Sequence, residues 1–218
     1  VHEDESGDSD TLINRIKSYL YHKGEYHPEN ELSFAPALCN RIDRNTCGIV
    51  IAAKNAESLR ILNQKIRDRE LTKLYLCIAC GKVTPDSATL TAYLEKNSDT
   101  NTVKISDKKT KSNLTIKTKY KVIAYNGENS LLKVDLLTGR THQIRAHLAY
   151  IGHALLGDGK YGNNKLNKKY GFKYQALCSY ELQFKFTTDA GCLSYLDGKC
   201  FKAKAPDFVK MFGSNIKL

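Results

Sequence analysis

The segment Arg41-Ile42-Asp43-Arg44-Asn45-Thr46-Cys47-Gly48 sets one carboxylate between two guanidinium groups, directly ahead of the apolar run Ile49-Val50-Ile51-Ala52-Ala53. Nearby positive charge favours the ionised form of a carboxyl, so Asp43 is expected to be charged at neutral pH. An ionised carboxylate can serve as a nucleophile, a base or an anchor for a cationic partner. Arg41 and Arg44 can in turn hold an anionic substrate against it. The same pattern also fits a surface salt bridge ahead of a strand, so the chemistry depends on what else the chain supplies.

Two further groups of residues bear on that question. In Thr138-Gly139-Arg140-Thr141-His142-Gln143-Ile144-Arg145-Ala146-His147-Leu148, read as a helix, Thr141, Arg145 and Leu148 share one face. His142 then lies one turn from Arg145. A helix start carrying Gly139, Arg140 and a hydroxyl suits a phosphate, because its free N–H groups favour anions; a helix with ordinary polar decoration fits the same residues. His142 and His147 are five apart, which rotates them away from each other on a helix and argues against a shared metal. The third group is Lys73-Leu74-Tyr75. A tyrosine on a strand fits core packing; beside a site it offers a ring for a nucleobase or a phenol placed to move a proton.

The elements that must position these residues follow from periodicity. Leu12, Ile13, Ile16, Tyr19 and Leu20 predict a helix within 8–23 that stops at Gly24. After Pro28, Pro36 and the arginine–aspartate loop comes a strand at 49–53. Asn55 caps a second helix with Leu59, Leu62 and Ile66 on its buried face and a charged end at Arg67-Asp68-Arg69-Glu70. Residues 72–79 read as a strand. Val103, Ile105, Leu114 and Ile116 alternate with polar neighbours, which predicts solvent-facing antiparallel strands across 96–121. A hairpin joins 116–125 to 130–137 across Asn126-Gly127-Glu128-Asn129. A helix opens at Thr138-Gly139-Arg140-Thr141 and reaches about Ile151, stopped by Gly152. A glycine-rich turn at 157–162, a basic loop (Lys165, Lys168, Lys169, Lys173), a strand at 176–186 and a short helix at 206–212 complete one mixed domain.

Composition narrows the partners. The chain has 218 residues, 41% hydrophobic and 26% charged, which suits one substantial core and reads as a soluble protein. Its formal charge is +11, yet the first ten residues hold five acids and no Lys or Arg. The remaining 208 therefore carry 34 basic against 18 acidic side chains, a balance that suits a polyanion. The seven cysteines, an odd number at scattered positions, argue against a disulfide framework and for a reducing, cytoplasmic setting. Cys77-x-x-Cys80 lies within Lys73-Leu-Tyr-Leu-Cys-Ile-Ala-Cys80, which reads as a strand on which residues three apart point to opposite faces; the pair therefore makes a poor metal knuckle. No apolar run approaches the length of a membrane span.

Taken in order, Arg-Ile-Asp-Arg-x-Thr-x-Gly-Ile-Val, Lys-x-Tyr, Thr-Gly-Arg-Thr-His-Gln-Ile-Arg-Ala-His-Leu and Gly157-Asp158-x-x-Tyr161-Gly162 resemble the RluA-type RNA pseudouridine synthases. The resemblance runs from about residue 38 to the tail, where Phe201-x-Ala-x-Ala-Pro206-Asp207-Phe208 is similar to the family's ending. It implies an α+β fold with a mixed, mostly antiparallel curved sheet, flanking helices and a central cleft. It implies that Asp43 is the nucleophile, that Tyr75 lies against the target base as proton acceptor, and that Arg145 is the basic partner of the aspartate. Arg41 would help occupy the space left by an extruded nucleotide. Arg44, Arg140, Thr141, His142 and Gln143 would complete the RNA-binding set.

The chemistry agrees with that assignment. Turning uridine into pseudouridine breaks an N-glycosidic bond and rejoins the same base through carbon. It needs a nucleophile and a proton acceptor, and no metal, redox cofactor or nucleotide energy source. A uridine within folded RNA must be flipped from its stack, which calls for a stacking ring and backbone-holding cations. Looser likeness at Leu62-Asn63 and Leu74-Tyr-Leu-Cys77 favours large-subunit ribosomal RNA as the substrate, with transfer RNA as the alternative. A rival reading is a non-catalytic RNA-binding factor on the same fold. A carboxylate-dependent hydrolase would need a second acid or a water-activating metal site, and the sequence offers no motif for either. The chain departs from the family pattern at Asn40, where His is usual, and at Cys47, where Ser is usual. Val1-His2 is similar to the end of the family's first motif, so the chain is read as a single catalytic domain truncated at its N-terminus, without a separate RNA-binding domain. A missing edge strand would leave backbone groups open to association.

Overall fold

The computed structural model describes residues 10–29, 34–97 and 99–218; the family-like Val1-His2 and four of the five early acids lie outside them. Among the described residues, two compact units are each assembled from separate stretches. One comprises residues up to Arg44, then Ile49–Thr72 and Gln183–Phe201. The other comprises Asn45–Gly48, Lys73–Leu182 and Lys202–Leu218.

In the first unit, the apolar spacing gives α1 (Leu12–His22), which begins at Thr11, whose hydroxyl accepts the Asn14 N–H at 3.3 Å, and is followed by Gly24. Around the aspartate loop the chain makes three two-residue strands, β1 (Ala37–Leu38), β2 (Cys47–Gly48) and β3 (Ala52–Ala53). β1 and β3 pair antiparallel, Ala37 opposite Ala53 and Leu38 opposite Ala52. The strand expected at 49–53 is thus cut short. The Ile51 N–H donates to the Asn40 side chain at 2.7 Å, and its carbonyl accepts the Cys39 N–H at 2.8 Å.

α2 (Ala56–Arg67) starts where Asn55 Oδ1 accepts the Ser58 N–H at 2.8 Å, as a capping residue should. Leu62 is buried and Leu59 and Ile66 half-buried, as their spacing requires. Its polar end departs from expectation. Lys65 and Glu70 are buried, with the Lys65 ammonium donating to Glu70 Oε2 at 2.8 Å and to the Thr188 carbonyl and hydroxyl at 2.6 and 2.7 Å. All three ammonium donors are thereby used. Glu70 also accepts from the Thr187 N–H and from the hydroxyls of Thr187 and Thr188. This network ties α2 to residues more than a hundred positions later.

The larger sheet is built from β4 (Leu71–Cys80), β5 (Ser87–Asn97), β6 (Thr102–Ser106), β7 (Leu114–Tyr125), β8 (Asn129–Leu136), β9 (Leu177–Phe184) and β10 (Cys200–Lys202). Its order is β10-β9-β4-β8-β7-β5-β6, with β2 joined to β9 off that path. β4, β9 and β10 each run from one unit into the other. The pairs β4–β8, β7–β8, β5–β7 and β5–β6 are antiparallel, while β2–β9 is parallel. The expected α+β class with a mostly antiparallel sheet is what the chain forms.

Within the second unit, both faces of this sheet are covered. Tyr75, Cys77, Leu132 and Val134 pack against Ile144 and Leu148 of α3 (Gln143–Tyr150). Leu76, Leu131 and Tyr180 face the other way, toward Phe208, Val209 and Phe212 of a 3-10 helix at Asp207–Phe212. The strands expected to face solvent alternate as read, but Val103, Ile105 and Ile116 are buried with Ala146, whereas Leu114 and the opposite, lysine-bearing face of β7 are exposed. The expected basic loop contains a short helix, α4 (Asn164–Lys169). No described helix is long and apolar enough to cross a membrane.

Two outcomes test this packing. Burial pulls the His147 imidazole down to about 4. The unfolded chain takes up that proton near its ordinary value of 6.5, so stability should fall as pH drops from 6.5 toward 4. The Glu70 carboxyl, held down to about 2 first by Lys65, should lose its contribution lower, between 4.5 and 2. Urea midpoints measured against pH should show the upper slope, and His147→Gln should flatten it. At Gly48, φ is +108 and an added Cβ would fall 2.1 Å from the Ser179 carbonyl oxygen. Gly48→Ala should cost more than about 1 kcal/mol in the same assay.

Candidate active site

The sequence-derived site residues fall in both units, and each set has its own scaffold. In the first unit, Arg41, Asp43 and Arg44 lie on the segment between β1 and β3, which is closed at its base by the Asn40–Ile51 hydrogen bond. Arg41 and Arg44 are exposed and Asp43 is half-buried. Asn40, a departure from the family pattern, is therefore the residue that fastens the loop. In the second unit the segment continues as a turn with Asn45 at φ 65, into Thr46, whose hydroxyl accepts from Gln175 Nε2 at 3.1 Å.

The remaining candidates surround α3. The helix expected to open at 138–141 starts only at Gln143, because His142 takes a left-handed backbone with φ 51. Ahead of it the chain stays registered on β7: the Lys117 N–H donates to the Thr138 hydroxyl at 2.8 Å. Gln143 locks this arrangement. Its Oε1 accepts the Thr138 hydroxyl at 2.8 Å and the Arg140 N–H at 3.1 Å, and its Nε2 donates to the Lys117 carbonyl and the Thr118 hydroxyl, each at 3.0 Å. Both amide hydrogens and both carbonyl lone pairs are occupied. Gln143, expected among the RNA-binding residues, holds the 138–141 turn in place. Arg140 and Thr141 stand exposed on that turn, and Thr141 does not share a helix face with Arg145.

Tyr75 sits on β4 opposite Val134 and is buried in the cluster that contains Ile144 and Leu148, the neighbours of Arg145 on α3. Arg145 is itself buried. Its Nε donates to Asp158 Oδ2 at 2.7 Å and its Nη2 to Asp158 Oδ1 at 2.9 Å. Asp158 Oδ1 also accepts the N–H groups of Lys160 and Tyr161 at 2.8 and 3.1 Å. Burial pushes the Asp158 carboxyl up, but the hydrogen bonds and charge of Arg145, helped by those two N–H groups, outweigh it and hold the carboxyl below its usual range.

Tyr161 completes the cluster. Its hydroxyl accepts the Val103 N–H at 2.9 Å and lies 2.9 Å from His142 Nδ1, while the Arg145 guanidinium carbon is 5.4 Å from its ring centroid. His142 is thereby held by Tyr161, whereas His147 Nδ1 bonds the Thr118 hydroxyl at 2.9 Å; the two imidazoles have separate tasks. Asp158 and Tyr161 stand in the Gly157-Asp158-x-x-Tyr161-Gly162 motif, which gave the signal without giving the partner. Gly157 has φ 80, and a Cβ there would meet the Tyr174 carbonyl oxygen at 2.0 Å, so only glycine lets the chain turn into Asp158.

A buried guanidinium left without its carboxylate is costly. Asp158→Ala should lower unfolding stability by about 3–5 kcal/mol, and Tyr161→Phe by about 1 kcal/mol, both read from urea midpoints at pH 7.

The sequence pattern of the RNA pseudouridylate synthase family matches residues 6–150. The ribosomal large subunit pseudouridine synthase D of Borreliella burgdorferi is 34% identical over 154 residues, 70% of this chain and 46% of that protein. The mitochondrial tRNA pseudouridine(32) synthase of Saccharomyces cerevisiae is 33% identical over 142 residues, 63% of this chain and 30% of that protein. The chain spans about half the length, or less, of the curated relatives it matches. Among solved structures, human RNA pseudouridylate synthase domain containing 4 aligns with TM-score 0.71 at 18% identity over 94% of this chain and 83% of that one, a likeness of fold. With that family's pattern extending over more than half its length, the chain belongs to the RNA pseudouridylate synthase family.

Proposed function

We propose that this chain carries the catalytic machinery of an RNA pseudouridine synthase, with Asp43 as nucleophile, Tyr75 as proton acceptor and Arg145 as the basic partner of the aspartate. The observation that carries the reading is Arg145: a buried guanidinium fixed by the two hydrogen bonds it donates to one carboxylate, on the helix whose Ile144 and Leu148 pack in the same cluster as Tyr75. A surface arginine that only collects phosphates needs no such fixing. In the reaction the N1–C1′ bond of uridine breaks, a C5–C1′ bond forms, the C5 proton leaves and N1 gains one. The nucleophile adds and departs, at either base or ribose, and the phenolate or phenol oxygen of Tyr75 removes the C5 proton. Arg41, Arg44, Arg140, Thr141 and His142 hold RNA, a role that the exposure of the first four supports.

The substrate we assign is large-subunit ribosomal RNA, with transfer RNA as the alternative. The relative named for the ribosomal large subunit covers slightly more of this chain than the one named for transfer RNA. The loosely similar positions at Leu62-Asn63 and Leu74-Tyr-Leu-Cys77 favour the same choice. We assign a cytoplasmic setting from the odd number and scattered positions of the seven cysteines.

Transcribed ribosomal and transfer RNA incubated with the chain, then mapped by carbodiimide adducts, should show pseudouridine in ribosomal RNA. Asp43→Asn should reduce it to background while RNA retention on a filter changes little. Tyr75→Phe should slow it by about a hundredfold, the contribution of a placed proton acceptor. An Asp43→Asn chain as active as the parent would favour the rival reading, in which the fold binds RNA without chemistry.

A further inference from the structure

β2 is two residues long, and its parallel pairing with β9 sets Cys47 directly opposite Cys178. Register partners on adjacent strands present their side chains to the same face, at a strand spacing of about 4.8 Å. That spacing falls inside the Cα separation of about 4.4–6.8 Å that a disulfide spans. The two backbones are pressed together here, since no Cβ fits at Gly48 beside Ser179. The Cys178 thiol hydrogen-bonds the Cys47 sulfur, and Cys47 Sγ also reaches the Leu177 carbonyl at 3.8 Å. Cys47 is exposed and Cys178 is buried, so the pair has one sulfur open to a reagent and one shielded behind it.

The electrostatics match this asymmetry. The hydrogen bond from Cys178 favours the Cys47 thiolate and draws its thiol down to about 7 despite partial burial. Cys178 is pushed up, by that same bond and by burial. Burial likewise raises Cys39, Cys77 and Cys80. A partly exposed thiolate beside a second thiol is the arrangement that oxidants attack selectively.

We propose that Cys47 and Cys178 form an oxidative modification site, which a two-electron oxidant of the peroxide class converts to a disulfide that restrains the segment following Asp43. The Cys47 thiolate attacks one peroxide oxygen; the O–O bond breaks, the departing hydroxide takes a proton as water, and Cys47 becomes a sulfenic acid. The Cys178 sulfur then attacks the Cys47 sulfur and gives up its proton. The S–O bond breaks, and the hydroxide leaves as a second water. The two sulfurs lose two electrons and the peroxide gains them. A dithiol reverses the process by exchange. The bond lies four residues after Asp43 and replaces a thiol–thiol hydrogen bond with a covalent tie to β9. Its effect on turnover rests on the proposed function, whereas formation of the bond does not.

The test uses the full chain, reduced, treated with hydrogen peroxide, alkylated and digested without reductant. Mass spectrometry should find the Cys47 and Cys178 peptides joined, lighter than their sum by two hydrogens, and separated by dithiothreitol. Cys47→Ser should abolish the joined peptide. Cys178 recovered in alkylated form, with Cys47 over-oxidised or joined elsewhere, overturns the site. In the same samples pseudouridine formation should fall at least tenfold on oxidation and return on reduction, while Cys47→Ser holds its rate under peroxide. A cross-linked chain that turns over at the reduced rate overturns the restraint. A reduced chain that makes no pseudouridine counts against the function alone, and the joined peptide still decides the site.

Discussion

The ion pair between Arg145 and Asp158 is the constraint on which the second unit's candidate chemistry depends. Two charges withdrawn from water cost several kcal/mol each unless geometry and further hydrogen bonds repay them. Here the guanidinium fork meets the carboxylate through two bonds, and Asp158 takes two more from the backbone of its own turn. The carboxylate stays ionised, so it keeps attracting the cation rather than accepting a proton. Arg145 is thereby given one orientation and its position on α3 is tied to the 157–162 turn. Tyr161 extends the arrangement to His142 and to the backbone of β6, so helix, turn and sheet edge form one polar cluster.

In the aspartate loop, Asp43, the proposed nucleophile, stands half-buried between two exposed arginines. The loop's two ends are fastened by Asn40 and Ile51 at the base in the first unit and by β2 against β9 in the second. The first unit has its own buried anchor in Lys65 and Glu70. Each unit thus has a desolvated, hydrogen-bonded ion pair, and removing one partner of either would strand a charge.

Much of this was legible in the sequence where local pattern decides the outcome. Asn55 capping, the period of α1 and α2, the Asn126-Gly127-Glu128-Asn129 hairpin and the alternation at Val103, Ile105 and Ile116 are all short-range signals. The motif series identified the family before any geometry. What local pattern missed was set by distant partners. Glu70 reads as part of a charged helix end because Thr187 and Thr188, which it shares with Lys65, lie far along the chain. α3 starts later than its motif suggests because the backbone at 138–142 is bound to β7 through Gln143. The same residue's engagement could not be foreseen, since a glutamine in a substrate motif looks alike whether it binds ligand or backbone. Asp158 was visible as part of a motif, but nothing in its spacing named Arg145.

Under the proposed function, Asp158 fixes Arg145 in the orientation that the isomerisation uses. Uridine tritiated at C5 loses its label to water when C5 joins C1′, so single-turnover tritium release from RNA measures the chemistry apart from product release. Asp158→Asn keeps the side chain's shape and removes its charge. This variant should bind RNA as the parent does and release tritium at least tenfold more slowly. A variant that remains folded by circular dichroism and releases tritium at the parent rate would contradict that role for Asp158.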